Sequence, residues 1–199
     1  ACVVVTKYDH VMGSISNFIC CEAGHPVPDE NSFAGTQKAL DLVQGLSEKD
    51  TVLFLLSGGG SALFEKPLIS LEELKEITDR MLRSGMSITQ MNTIRKRLSA
   101  VKGGRFAQWC APAKVETIIL SDVLGDAVDM IASGPAAADT STSEQALSIA
   151  AACGITAIDQ KKDVLTFTLS ALELEPMSAL CAQFAGRMTM SMGETPALT

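Results

Sequence analysis

Apolar and polar positions alternate along the chain in blocks that read as alternating strands and helices. Val3-Val4-Val5-Thr6 is a short β-branched run and predicts a strand. Ala23 to Glu30 cannot be helix interior, because Pro26 and Pro28 fix φ and lack a donor, so it is a loop. A helix is expected from Asn31, carrying Ala34, Ala39, Leu42 and Val43, with Gly45 near its end. Thr51 to Leu56 is continuously apolar after its first residue, the pattern of a strand buried on both faces of a parallel sheet. Ser70-Leu71-Glu72-Glu73 is a capping box, after which Leu71, Leu74, Ile77, Thr78 and Met81 share one helical face up to Gly85. Ser87 opens the next helix, with Ile88, Met91, Ile94, Leu98 and Val101 along one side. Thr117 to Leu120 predicts a strand, Ser143 to Ala152 a helix closed by Gly154, and Val164 to Leu169 a further strand. This alternation with short Gly-rich joints predicts an α/β fold around a mostly parallel sheet.

Composition narrows the class. With 199 residues and 47% hydrophobic content the chain is long enough for a core and too apolar for disorder. Its longest apolar runs fall far short of the roughly 20 residues of a membrane span, and no signal peptide leads it. Cys2, Cys20, Cys21, Cys110, Cys153 and Cys181 form no CxxC pair, so reduced, buried thiols in a cytoplasmic protein are expected. The net charge of −7 conceals an uneven distribution. From Arg80 to Val115 there is no acid, yet Arg80, Arg83, Arg95, Lys96, Arg97, Lys102, Arg105 and Lys114 fall there. A basic island in an acidic chain suggests a local anion site; the alternative is a solvated helix face whose stems cover apolar surface. Overall charge and the single Trp and Tyr disfavour nucleic acid.

Three segments carry candidate chemistry, each beyond a strand's carboxyl end or in the basic helix. Ser57-Gly58-Gly59-Gly60-Ser61 offers backbone N–H groups with no Cβ in the way and two flanking hydroxyls; it is an anion cradle or a tight turn. It is neither a dinucleotide fingerprint nor a Walker A loop. In the basic helix, Asn92, Lys96 and Ser99 fall on one face, and Arg95 and Lys102 on another. Cationic clamps of this kind stabilise a transferring phosphoryl group. Ser121-Asp122-Val123-Leu124-Gly125-Asp126, followed by Ile131 to Pro135, places two carboxylates where they hold Mg²⁺ or where Asp122 caps a helix. His25 is a loop histidine or a substrate contact. His10 has no recognisable context.

GHPVPDEN, LLSGGGSAL, NTIRKRLSAVKGGRFA and SDVLGD with IASGP, in this order, resemble the glycerate 2-kinase family with its MOFRL domain, historically labelled hydroxypyruvate reductase. The resemblance runs from about Val3 to Ile155, weakly again at Val164 to Ser170, and at Met192-Gly193-Glu194-Thr195. It implies ATP-dependent phosphorylation of D-glycerate to 2-phosphoglycerate with Mg²⁺, in a cleft between a Rossmann-like three-layer sandwich and a smaller C-terminal domain. Residues 1–190 would be the large domain and 191–199 the start of the other. Ser57, Gly58, Gly59, Gly60 and Ser61 would cradle phosphate or carboxylate, with Asn92, Lys96 and His25 as further contacts. Arg95 and Lys102 would neutralise charge, and Asp122 and Asp126 would work near the metal or the reacting hydroxyl. Relatives carry a functional lysine before position 1 and an arginine beyond Thr199, so these residues alone are expected to be inactive. A homodimer stays open. The competing functions are an NAD(P)H-dependent hydroxypyruvate reductase, whose dinucleotide fingerprint is missing, and a non-catalytic phosphate- or sugar-acid-binding module.

Overall fold

A computed structural model of the chain describes residues 1–121, 127–152 and 155. Strand β1, Cys2–Lys7, runs parallel to β2, Phe18–Ala23, in register Val3 to Ile19 and Val5 to Cys21. Helix α1, Glu30–Val43, packs on this pair. Strand β3, Thr51–Leu56, pairs in parallel with β4, Lys114–Ile119. Between them lie α2, Gly60–Leu63, α3, Leu71–Arg83, α4, Ile88–Arg97, and α5, Arg105–Cys110. After β4 come a 3-10 turn, Ile131–Ser133, and α6, Ser143–Ala152. The fold is α/β with parallel strands, and among the described residues these form two separate pairs rather than one sheet. No helix of the described residues is long and apolar enough to cross a membrane. The strand expected at Val164–Leu169, the domain boundary at 190–191, and Cys153 and Cys181 lie outside the described residues.

Local chemistry explains the element ends. Ser70 accepts from the Glu73 N–H and Ser87 from the Gln90 N–H, each in a reciprocal capping box. Helix α1 starts earlier than expected, because Asp29 and Ser32 form its capping box. Its inward face is Ser32, Gly35, Thr36, Leu40 and Val43, not Ala34 and Leu42, which are exposed. Small residues there let the helix lie close on β1 and β2. In α3, Leu74, Ile77 and Met81 turn inward as the periodicity requires, and meet Met91, Ile94 and Leu98 of the α4 segment. A second core joins Leu40, Phe64, Val101, Phe106 and Val115, with Phe54, Phe64 and Phe106 in mutual ring contact at 4.6–5.3 Å between centroids.

Two expectations are corrected. Strand β3 is not buried on both faces: Val52 and Phe54 pack on the second core, while Leu53 and Leu55 are exposed, because the described helices cover only one side. Among the described residues the thiols are free, but only Cys110 is buried, where loss of water pushes it up to about 12; Cys2 is exposed and Cys20 and Cys21 half-buried.

Asp29 also pins the loop ahead of α1. Tyr8 Oη donates to Asp29 Oδ2 at 2.6 Å and Ser32 N–H to Oδ1 at 2.9 Å. Burial works to raise this carboxyl, but the bonds from Tyr8, Ser32 and Gly24 outweigh it and hold it at about 2. A depressed carboxyl stabilises the fold above its ordinary value near 3.8, and that contribution disappears as pH falls through about 2. Asp29→Asn keeps a capping side chain and removes the titration, so its melting temperature should fall less steeply between pH 4 and pH 2 than that of the parent. Parallel acid limbs in the two thermal melts would rule the assignment out.

Candidate functional site

The sequence feature that dominates the region is the basic island, whose ends Arg80, Arg83 and Lys114 reach solvent while its middle does not. Lys96, Arg97, Lys102 and Arg105 are buried. Lys102 is 0% exposed; its Nζ meets Glu65 Oε2 at 2.9 Å and donates to the Ser61 carbonyl at 2.9 Å and the Phe64 carbonyl at 3.1 Å. It therefore lies beneath α2 with its charge met by Glu65 and its protons by two carbonyls. Lys96 Nζ lies 3.3 Å from both Asp129 and Asp139, and Arg97 Nη1 lies 3.0 Å from Asp139. Lys96 is also committed to carboxylates rather than to an anion.

Arg105 donates to the carbonyls of Lys96 and Lys102, closing the C-terminal end of α4. Burial and the charge of Arg97 lower its guanidinium to about 10, against the opposing pull of Asp139. Lys96, Arg97 and Lys102 persist as buried cations because Glu65, Asp129 and Asp139 come from outside the acid-free window and meet them in space, while Arg105 is met by carbonyls.

The expected helix faces hold in part. Asn92 and Lys96 both face the 3-10 turn, Asn92 Oδ1 accepting from Ser133 Oγ at 3.0 Å. Helix α4 ends at Arg97, so Ser99 and Lys102 fall beyond it and the spacing argument does not extend to them.

The glycine loop is assembled from three directions. Gly59 has φ of +87°, and a Cβ there would sit 3.0 Å from the ring of His25. Only glycine fits both constraints. At Gly60 a Cβ would meet Leu56 at 2.8 Å and Ala132 at 3.0 Å, so the 3-10 turn is pressed against the loop. Ser61 Oγ lies 3.5 Å from Ser133 Oγ, extending the Asn92–Ser133 contact toward the loop. The Gly103 N–H donates to the Ser133 carbonyl at 3.0 Å and the Gly104 N–H to that of Gly134 at 2.8 Å. Ala132 and Ser133 have φ of +50° and +61°, a conformation costly for side-chain-bearing residues and held here by those bonds.

The N–H groups of Gly60, Ala62 and Leu63 bond within the loop and α2, whereas those of Gly58, Gly59 and Ser61 have no backbone acceptor among the described residues. Ser57, Gly58 and His25 are exposed beside them. These groups can receive an anion.

Next to this loop a cavity of about 290 Å³ is lined by Pro26, Pro28, Ser61, Glu65, Leu74 and Arg95, among others. The size is at the small end of ligand clefts, which run from about 300 Å³ upward. Arg95 is the one expected clamp residue that reaches it. Burial lowers its guanidinium from the ordinary range, with Glu65 acting in the opposite sense. Glu65 was not singled out in the sequence; its one signal is that it follows SGGGSALF directly. Asp129 and Asp139 were missed because the pairing is long-range.

Asp122 and Asp126 lie outside the described residues. Among the described residues no cluster of three His, Cys, Asp or Glu side chains fits a metal ion, and Asp129 is taken by Lys96.

The family model described as "Domain of unknown function (DUF4147)" matches residues 1–166. A D-glycerate 2-kinase of Thermotoga maritima is 60% identical over 155 residues, 77% of this chain and 37% of that protein. A glycerate 2-kinase of Pyrococcus horikoshii is 47% identical over 146 residues, 72% of this chain and 33% of that one. A crystal structure of a Thermotoga maritima glycerate kinase superposes with a TM-score of 0.79 at 54% identity, covering 84% of this chain and 41% of the other. The chain thus spans little more than a third of the length of the curated relatives it matches.

Lys102→Met would strand the Glu65 carboxylate in the interior and should cost about 3–5 kcal/mol in chemical denaturation. Adding Glu65→Gln should restore most of that loss. A single variant as stable as the parent would show that the pair does not support the loop. By contrast, Arg80→Met, which breaks an exposed pair with Glu76, should change stability by no more than about 1 kcal/mol.

Proposed function

Because the chain belongs to the DUF4147 family, among whose members its relatives are named glycerate kinases, we propose that it phosphorylates D-glycerate with ATP as donor. The observation that carries this reading is the convergence of an exposed glycine loop, His25 and Ser61 beside a cavity holding Arg95. Phosphoryl transfer asks little covalent work of the protein; it needs the two reactants held in line and the spread charge met by donors. The N–H groups of Gly58, Gly59 and Ser61 take the transferring phosphate, with the His25 ring packed against Gly59 as a further contact. Arg95 takes the carboxylate of the acid. Lys102 acts through the loop: its bonds to the Ser61 and Phe64 carbonyls keep α2 in place.

The product is 2-phosphoglycerate in this reading. Mg²⁺ would arrive with ATP and neutralise its phosphates, and Asp122 and Asp126 stay as proposed residues near the metal or the reacting hydroxyl. Residues 1–190 belong to the large domain. Free thiols at Cys2, Cys20, Cys21 and Cys110 accord with the reducing cytoplasm, where this reading places the enzyme.

A coupled ADP-release assay on the full-length product with D-glycerate, ATP and Mg²⁺ should give glycerate-dependent turnover, with the phosphate located at the 2-position by NMR. NADPH or NADH oxidation by hydroxypyruvate without ADP release would replace the reading with the reductase. Binding of ATP or phosphate without turnover would favour the non-catalytic module. Gly59→Ala adds a Cβ against the His25 ring and should lower kcat/KM about 100-fold, beyond a folding cost of about 1–2 kcal/mol. Unchanged kinetics per folded molecule would remove the loop from the site.

A further inference from the structure

Four charged residues line the cavity beside the glycine loop: Asp79 pairs with Arg83 and Lys75 is exposed, while Glu65 and Arg95 lie deeper and form no ion pair with each other. Glu65 is 4% exposed. Its Oε2 is held by Lys102 at 2.9 Å, while its Oε1 is buried and has no hydrogen-bond partner among the described residues; the residue itself lines the cavity. An unmet carboxylate oxygen in the interior is costly, so such an atom in a concave, lined site points to a donor that arrives with a ligand.

Arg95 enters the same cavity from α4. Among the described residues no carboxylate lies within 4 Å of its guanidinium and its side chain makes no hydrogen bond. Lys102, beneath α2, holds Glu65 by its other carboxylate oxygen. Glu65 and Arg95 thus line one cavity without an ion pair between them, with Pro26, Pro28 and Leu74 as apolar wall.

A ligand that satisfies both groups must carry an acidic group for the guanidinium and a hydroxyl for the carboxylate, on a short carbon chain. A plain carboxylic acid leaves Oε1 unmet, and a neutral polyol leaves Arg95 unmet. We propose that this cavity is the hydroxy-acid subsite, in which Arg95 binds the substrate carboxylate and Glu65 Oε1 accepts one substrate hydroxyl, making Glu65 the specificity-determining residue. The assignment rests on the glycerate kinase reading and deepens it.

The test is isothermal calorimetry on the full-length product with D-glycerate and its two single-deoxy analogues, D-lactate and 3-hydroxypropionate. In the parent, at least one analogue should bind about tenfold or more weakly than D-glycerate. In Glu65→Gln, Lys102 draws the amide oxygen to itself and leaves the amide N–H₂ group facing the cavity, a donor in place of an acceptor. D-glycerate should then weaken about 10- to 100-fold, down to the level of that analogue, whose own affinity changes less than about twofold. Glu65→Asp keeps the charge opposite Lys102 while withdrawing the carboxylate by one methylene; it should show the same selective loss and serves where the Gln variant fails to fold. Arg95→Lys should weaken all three acids alike.

If the Glu65 variants weaken all three acids equally, or none, the subsite is overturned while glycerate binding by the parent leaves the kinase reading intact. The same conclusion follows if the parent does not distinguish D-glycerate from either analogue. A parent that binds none of the three overturns both, and this outcome is separate from the others.

Discussion

The ammonium of Lys102 organises the region on which the function depends. A buried charge is tolerated only when it is paired and its remaining protons are satisfied. Here a single nitrogen meets one carboxylate and two carbonyls, all from the stretch Ser61 to Glu65. That stretch directly follows the glycines, so the loop is fixed from below by an interaction that leaves its outer face free. Gly103 and Gly104, immediately after Lys102, hold the Ser133–Gly134 backbone in turn. One short segment thus ties together the ends of β3 and of the polypeptide following β4.

Much of the fold was legible because it follows local rules. The capping box at Ser70, the helix start at Ser87, the inward stripe Leu74, Ile77 and Met81, the β-branched start of β1 and the helix from Ser143 to Ala152 each depend on neighbours within a few residues. Strand β2, with Phe18-Ile19-Cys20-Cys21, was missed although it is apolar, because its strand character is fixed by pairing with β1. The face of β3 was misread for a related reason: a continuous apolar run does not say which side its neighbours will cover.

The site was legible where steric need leaves a mark in residue type, and illegible where charge is balanced over distance. Three consecutive glycines announce a close approach, and the approach is real, with His25 and Ala132 against them. The basic island announced an anion. Its anions turned out to be the protein's own Glu65, Asp129 and Asp139, with separations that run from 33 residues for Lys96 and Asp129 to 43 for Lys96 and Asp139. Arg95, expected to meet a ligand, lines a cavity together with Glu65, whose Oε2 is already held by Lys102.

The reach of these pairs sets an order of events during synthesis. Lys96 and Asp139 are 43 residues apart, and Arg97 needs the Ser141 carbonyl 44 residues on. A chain leaving the ribosome presents α4 long before either partner exists. Burying those cations early would cost several kcal/mol per ion. Helix α4 can set its apolar face on α3 at once, but its cations find their partners only when the polypeptide past β4 has emerged, and the glycine loop completes its contacts with that same turn no earlier.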